Sequence, residues 1–297
     1  MNKTPLFIAL TALGLPAATS AQSLPEGVTA KGFIEYEYLS AAGNDASLLF
    51  GDFDISVAPG ASGLGVDFGA VGLDVEATSE IALFGALTYT TGHHKFSVGV
   101  PRSALKDHTG FPDIGGSRML SLEAGMVTEG LLDIAYLTSD ETPIGLRYDG
   151  DFGALQASAS YHRVTGDEDV DILGFGATYS RDTLFASGSL EHFDGHAASG
   201  TLLHAEFGAR TDRYEAGLGI SNGDNGYFDD TVLFAWGSYK VIPALMVTAS
   251  LMDLDSSTIY GVSADYTVWD HAYAQLGYVN GDTFGDAIWD ISVGWKF

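Results

Sequence analysis

The chain ends with Trp289-Asp290-Ile291-Ser292-Val293-Gly294-Trp295-Lys296-Phe297, in which apolar and polar residues alternate. Successive side chains of a β-strand point to opposite faces, so the odd-numbered positions form one apolar face that carries three aromatic rings. In a water-soluble sandwich that face would be buried. In a membrane barrel it would face lipid, and aromatic residues are typical of strands that reach a membrane interface.

The same two-residue period recurs upstream in segments of about ten residues, separated by Gly, Asn and Asp. One example has Leu155, Ala157 and Ala159 opposite Gln156, Ser158 and Ser160, and others lie near residues 47–58, 199–210 and 213–221. Counted along the chain, such segments predict an all-β fold: a transmembrane antiparallel β-barrel of about sixteen strands. Residues Met119 to Tyr136 could add two more strands, which would make eighteen.

The N-terminus has the pattern of a secretory signal peptide. Lys3 precedes an apolar run from Pro5 to Ala18, and the small residues Thr19, Ser20 and Ala21 follow. We expect cleavage after Ala21, because the run is shorter than the ~20 apolar residues that a spanning helix needs. The predicted division is a signal peptide at residues 1–21 and a single barrel domain at 22–297.

The sequence after Ala21 contains no run of ~18 consecutive apolar residues, so a bundle of membrane helices is excluded. Hydrocarbon tolerates no unpaired backbone groups, and a membrane protein without such helices must therefore be a closed barrel. The chain contains 38 Gly, 14 Tyr and 17 Phe but only 18% charged residues, a composition that suits short strands and tight turns.

Acidic residues far outnumber basic ones, with 39 Asp+Glu against 13 Lys+Arg. Removal of residues 1–21 deletes only Lys3, which leaves 12 Lys+Arg against 39 Asp+Glu and a formal net charge of −27. A nucleic-acid partner is not expected, since binding to phosphates needs the opposite sign. In a channel such a surplus would attract cations and repel anions.

The sequence gives little sign of chemical catalysis. It contains no His-Glu-x-x-His and no cysteine, and adjacent His93 and His94 would point to opposite sides of a strand. We therefore predict no enzymatic activity, no cofactor and no metal site. Weak Ca²⁺ binding stays open at acidic segments near residues 167–171, 222–230 and 280–286, although none matches a full calcium-loop signature.

The interval from Arg102 to Glu141 is long for a connection within a barrel. It is not a polar disordered stretch, because Met119, Leu120, Leu131 and Ile134 are among its apolar residues. We expect it to fold as a loop into the barrel, where these side chains can pack and where the loop narrows the lumen.

With its alternating strands, its insertion beginning Arg102-Ser103-Ala104-Leu105-Lys106-Asp107 and its closing Ile291 to Phe297, the mature chain resembles the general (non-specific) porins of Gram-negative bacteria. The resemblance implies a trimer in the outer membrane, and an inward third loop that forms an eyelet. It also implies recognition of the last strand by the barrel-assembly machinery; the residues of that signature would be Trp289, Ile291, Val293, Trp295 and Phe297.

The family pattern also implies a transverse field between acidic residues of the loop and basic residues of the barrel wall. Carried over to this sequence, the loop carboxylates would be Asp107, Asp113, Glu123, Glu129 and Asp133. The wall cations would come from Lys31, Lys95, Arg147, Arg210 and Arg213. The chain departs from the pattern in having few basic residues, and no dense arginine cluster is evident.

The function expected from these features is a porin: a water-filled channel for passive diffusion of small hydrophilic solutes and ions, with cations preferred. Expected partners are outer-membrane lipid and lipopolysaccharide, the barrel-assembly machinery, two further copies of the chain in a homotrimer, and the solutes themselves. The alternative is a plugged structural or adhesive outer-membrane barrel without significant conductance.

Overall fold

A computed structural model describes residues 24–41, 44–58, 60, 62–75, 78–121, 132, 136, 141–166, 169–195, 199–224, 231–254, 257–282 and 284–297. The predicted signal peptide at residues 1–21 lies outside the described residues. So do three of the predicted loop carboxylates, Glu123, Glu129 and Asp133.

The fold consists of sixteen β-strands. Their bounds are β1 Val28–Ala41, β2 Asn44–Val57, β3 Ser62–Val75, β4 Thr78–Thr91, β5 His94–Val100, β6 Ile144–Asp151, β7 Leu155–Val164, β8 Val170–Arg181, β9 Leu184–Gly195, β10 Ser199–Arg210, β11 Tyr214–Asp224, β12 Thr231–Ile242, β13 Leu245–Leu254, β14 Ser257–Thr267, β15 Ala272–Gly281 and β16 Ile288–Lys296.

The strands form one closed barrel in which each strand pairs antiparallel with its neighbours in sequence, and β1 closes on β16. Across this seam Phe33 faces Lys296 and Ala41 faces Ile288, and the backbones of Gly32 and Phe297 exchange two hydrogen bonds of 3.0 Å. β5 pairs directly with β6, so the interval between them contributes no strand to the wall. The count of sixteen is confirmed, and the alternative of eighteen is wrong.

The even strand number places both chain ends at one end of the barrel, here called the near end; the opposite end is the far end. At the near end short turns join the strands, such as Gly92-His93 and Asp182-Thr183. Asp182 adopts a φ of 54°, a left-handed conformation that two-residue hairpin turns use. Among the connections at the far end, residues 101–143 are by far the longest.

Large apolar side chains cover the outside of the barrel. On β16 the exposed fractions are 53% for Trp289, 56% for Ile291 and 53% for Val293, while Asp290 and Ser292 on the inner face are buried. Leu218 and Phe207 are exposed in the same way on β11 and β10. The barrel therefore has an apolar outer surface, as the alternation predicts. Among the described residues no helix is long and apolar enough to span a membrane.

The inner face is not uniformly polar. Toward the far end, inward side chains form two apolar clusters. One contains Leu39, Ile114, Val232, Phe234, Met252, Ile259, Val279 and Ile288; the other contains Leu48, Phe50, Val71, Ala82 and Phe84. Ile114 belongs to the connection between β5 and β6, so these clusters are the surface against which that connection packs.

Candidate functional site

The connection between β5 and β6, residues 101–143, is here called the inner loop, because its described residues contact the inner wall around most of the barrel. Ser103 contacts β9, Phe111 contacts β12, Gly115 contacts β13 and β15, and Ser117 contacts β1. The loop therefore enters the barrel, as the sequence predicts, and it lies along the wall rather than across open water.

Arg102 anchors the start of this loop. Its Nη2 donates to Asp52 Oδ1 at 2.6 Å and to the backbone oxygen of Phe53 at 3.3 Å, and its Nε donates to Asp54 Oδ1 at 3.1 Å. The guanidinium carbon lies 4.2 Å from the centre of the Phe84 ring. The planar guanidinium donates several hydrogen bonds in fixed directions, so it fixes both the position and the orientation of the start of the loop. An ammonium group could not do this.

A second arginine, Arg147 on β6, joins the loop to the wall on the other side. It pairs with Asp107 of the loop and with Asp149 of its own strand, at 2.6 Å in the second case, and it donates to the backbone oxygen of Ser103 at 2.9 Å. Burial acts to raise the pKa of the Asp107 carboxyl, but attraction to Arg147 and then to Lys31 outweighs it, so that pKa lies below its ordinary value. Asp107 is thus an anion at neutral pH.

His108 ends a short 3-10 helix, Leu105–His108, and lies against β7 and β8. Its Nδ1 lies 2.8 Å from Thr178 Oγ1, and its Nε2 lies 3.0 Å from Ser158 Oγ. Ser158 donates its one proton to Asp149 at 2.8 Å, so it must accept from His108 Nε2–H. Burial lowers the pKa of the His108 imidazole below its ordinary value, which leaves the ring neutral at pH 7.

The middle of the loop packs on the apolar part of the wall. Phe111 stacks on Phe234 with ring centres 3.9 Å apart, and Ile114 is 2% exposed. Gly115 has a φ of 56°, and a Cβ there would lie 2.5 Å from the Tyr278 oxygen, so only glycine fits. The wall residue that faces it, Gly277, is also a glycine, and a Cβ there would lie 2.1 Å from the Gly115 oxygen. This part of the lumen is filled by protein.

The loop then reaches β1, where it meets two inward carboxylates. Glu37 accepts from Ser117 Oγ at 2.7 Å and from the Met119 amide at 3.0 Å. Arg118 pairs with Asp113 of the loop at 2.8 Å and lies 3.6 Å from Glu35. Arg118 also lies over the ring of Phe33, with its guanidinium carbon 4.8 Å from the ring centre. Predicted Asp113 is therefore an ion-pair partner within the loop.

The space that the loop leaves beside β1 to β6 is a cavity of about 160 Å³, here called the charged cavity. Its basic lining residues are Lys31, Lys95, Arg102, Lys106 and Arg147, and its acidic ones are Asp54, Asp67, Asp107 and Asp149. Asp52 adjoins it through Arg102 and Lys106. Five of the 13 basic residues of the chain thus line one cavity, and two of the five are arginines.

The signs in the charged cavity are also distributed differently from the family pattern. The wall supplies Asp52, Asp54, Asp67 and Asp149, and the loop supplies Arg102 and Lys106. Lys31 lies between wall and loop, at 3.9 Å from Asp54 and 4.0 Å from Asp107. Lys95 pairs with Asp67. Acids and bases are therefore interleaved rather than opposed.

Two of the predicted wall cations lie away from the inner loop. Arg210 is at the near end of β10, where it pairs with Glu215 and lies over the ring of Phe185. Arg213 is in the turn between β10 and β11, with its guanidinium carbon 5.5 Å from the centre of the Tyr239 ring. Tyr239 is 49% exposed on the outward face of β12, so Arg213 does not line the lumen.

Sequence reasoning missed Arg102, Lys106 and the wall aspartates as a group. The inward phase of Asp52 and Asp54 was readable from the alternation on β2, but the path of the loop that brings Arg102 to them was not. In the described part of the chain, no group of three or more His, Cys, Asp or Glu side chains is arranged to hold a metal ion. Residues 167–168, 225–230 and 283 of the acidic segments lie outside that part.

Comparison with solved structures gives strong matches. A mutant of the Rh. blastica porin aligns with a TM-score of 0.62 at 16% identity, over 91% of this chain and 100% of the porin chain. OmpT of Vibrio cholerae, in its trimer form, aligns with a TM-score of 0.62 at 13% identity, over 91% of this chain and 99% of its own. The chain has the porin fold.

No protein-family model matches the sequence, and a comparison with curated proteins gave no match. The likeness to porins is thus carried by the barrel and not by residue identity. The porin fold accounts for the sixteen strands and the closed wall, whereas the charged cavity must be interpreted from the residues of this chain.

Proposed function

We propose that this chain is a porin of the outer membrane, a water-filled channel through which small hydrophilic solutes and ions diffuse passively. The observation that carries the proposal is a closed barrel whose outer surface is apolar and whose interior holds a charged cavity. An apolar exterior suits lipid, and a cavity lined by ionised groups holds water. The near end would then face the periplasm and the far end the outside.

The proposed channel prefers cations. The support is the acidic surplus of the whole chain together with inward carboxylates such as Glu35, Glu206 and Asp265, which lie outside the charged cavity. A lumen of negative potential raises the local concentration of cations and repels anions. Within the charged cavity the signs nearly balance, so this preference arises along the rest of the path.

Three further features belong to the same proposal. A homotrimer is supported by the trimer form of OmpT, which shares the fold. Contacts with lipid and lipopolysaccharide, and with the barrel-assembly machinery through Trp289, Ile291, Val293, Trp295 and Phe297, follow from the outward apolar face of β16. The function needs no catalytic residue and no cofactor, and weak Ca²⁺ binding at the acidic far-end connections stays a prediction.

The test is conductance of the purified protein in planar bilayers. We expect discrete conductance steps and, under a salt gradient, a reversal potential of the sign that indicates cation preference. A barrel that inserts and gives no steps would contradict the channel, and an anion-selective channel would contradict the preference.

The second candidate is a plugged structural barrel, and one observation favours it: the inner loop packs tightly on the apolar wall near Phe234 and Ile259. Deletion of residues 102–141 separates the two functions. An open channel already conducts and should conduct more after the deletion. A plugged barrel should be silent before the deletion and conduct only after it.

A further inference from the structure

The charged cavity holds opposite charges in nearly equal number, although acids outnumber bases threefold in the chain as a whole. Of the residues that line it, Lys31, Lys95 and Arg147 project from the wall and Arg102 and Lys106 from the loop. A set of charged residues drawn at random from this chain would contain about three carboxylates for each cation. The local balance is a property of this place in the barrel.

Within the cavity the two arginines are engaged by the protein itself. Arg102 and Arg147 have side chains that are each 10% exposed, and each holds two carboxylates. Lys31 differs, because its side chain is 74% exposed and its two carboxylate contacts are long, at 3.9 and 4.0 Å. Asp107, one of those contacts, is 43% exposed. Asp107 pairs with Arg147 through Oδ2, so Lys31 and the Oδ1 atom of Asp107 present an accessible cation and an accessible anion side by side.

The size of the cavity limits what can occupy it. Its volume of about 160 Å³ corresponds to about five water molecules at roughly 30 Å³ each. Because bonded atoms lie closer together than separate water molecules, a solute of about seven non-hydrogen atoms fits. A single ion in this space gains from one set of charges and is repelled by the other. A solute with an ammonium and a carboxylate group gains from both, through charge-assisted hydrogen bonds that replace the hydration of each group.

We propose that the charged cavity is a subsite for small zwitterions of the amino-acid class, with Lys31 facing the carboxylate and Asp107 facing the ammonium group. The inference rests on the proposed channel function, which it makes more specific. The low pKa of the Asp107 carboxyl supports it, since both partners are then ionised at neutral pH. Such a subsite favours passage only while binding is weak, and the exposure of both groups provides that.

The experiment measures uptake of radiolabelled L-serine, a zwitterion, and erythritol, a neutral solute of similar size, into proteoliposomes at fixed ionic strength. We expect serine to enter about fivefold faster than erythritol, the factor that corresponds to one exposed ion-pair interaction of roughly 1 kcal/mol. The double variant Lys31→Met/Asp107→Asn should bring the ratio to about one. The matched control is Arg181→Met/Asp182→Asn, which removes one charge of each sign from the near-end turn between β8 and β9 and should keep the ratio of the unaltered protein.

The single variants give a second readout that does not depend on solute uptake. Lys31→Met should shift the reversal potential toward cations, and Asp107→Asn should shift it toward anions, if both groups line the path. Equal uptake of serine and erythritol by the unaltered protein, or a ratio that survives the double variant, would overturn the subsite. Serine uptake that Lys31→Met leaves unchanged would make it a cation site and also overturn it. Absence of erythritol uptake would instead contradict the channel itself.

Discussion

The Glu37 carboxylate on β1 accepts a hydrogen bond of 2.7 Å from the Ser117 hydroxyl of the inner loop. Ser117 begins a helical turn: its hydroxyl accepts from the Leu120 amide at 3.3 Å, and its backbone oxygen accepts from the Ser121 amide at 3.1 Å. Glu37 also accepts from the Met119 amide, so a wall carboxylate satisfies one of the first amides of a turn that lies on another element. The loop is thereby held at β1, after its described residues have followed the wall from β9 through β12 to β15.

Replacement Glu37→Ala should loosen this end of the loop. The variant leaves the Ser117 hydroxyl and the Met119 amide without their acceptor, a loss of about 1–3 kcal/mol. We expect the Met119 amide to exchange its hydrogen about tenfold faster or more, as measured by hydrogen exchange with mass spectrometry. Glu26→Ala, an exposed position before β1, serves as the control and should leave that rate unaltered. An unchanged rate in Glu37→Ala would show that the loop is held elsewhere.

A wall glycine controls how closely the loop approaches. In Gly277→Ala the new methyl group would lie 2.1 Å from the Gly115 oxygen, so the loop must move away from β15. Overpacking of this kind costs about 1–3 kcal/mol, and we expect larger fluctuations of the single-channel current in planar bilayers. Gly237→Ala is the matched control, because no atom lies within 4 Å of the position of its Cβ. Equal noise in both variants would contradict the docked loop.

The wall of the barrel could be predicted closely from the sequence. Period-two alternation decides both the strand and its face, and at β10 the predicted residues 199–210 are those of the strand. The loop could not be predicted, because its path depends on which wall positions are small or apolar. In an alternating pattern Gly261 and Gly277 are not distinguished from other small wall residues. Their role follows only from the structure, in which Gly115 of the loop packs against both.

The same limit explains why some of the predicted wall cations line the charged cavity and others do not. The alternation assigns both Arg147 and Arg210 to the inner face of the barrel. It does not show how far along the barrel axis each one lies from the inner loop, whose position is not known from the sequence. Arg147 lies level with Asp107, whereas Arg210 lies at the near end beside Glu215. Arg102 and Lys106 belong to no alternating strand, so the contribution of the loop to the charged cavity could be found only from the structure.

Acid should weaken docking of the loop through His108. The pKa of this histidine is lowered by burial, so the docked loop binds fewer protons than a free loop whose histidine titrates at its ordinary value of 6.5. Docking stability is therefore fully present above pH 6.5 and is lost as the pH falls below it. The charged groups around the ring are Asp107, Arg147 and Asp149, and the lowered pKa of the Asp107 carboxyl keeps it charged in this range.

Because the chain has no cysteine, a spin label at Thr109→Cys reports on this part of the loop alone. We expect the mobility of the spin label to rise as the pH falls from about 8 to about 5. The variant His108→Gln should remove this pH dependence, because glutamine can hydrogen-bond to Ser158 and Thr178 but does not titrate. His93→Gln, in the exposed turn between β4 and β5, should leave the pH dependence in place. A pH dependence that persists in His108→Gln would assign it to another group.

A charge on the outer surface tests whether that surface meets lipid. Leu218 lies on the outward face of β11 and is 64% exposed, so on a water-soluble barrel an arginine there would be nearly neutral for stability. In a bilayer the same Leu218→Arg change should cost about 2–4 kcal/mol, because the guanidinium must leave water. The measurement is the free energy of unfolding of the protein refolded into lipid vesicles. Leu24→Arg, which is also exposed but precedes β1, is the control and should change that free energy little. Equal effects of the two variants would mean that lipid does not surround β11, and the channel would then lose its physical basis.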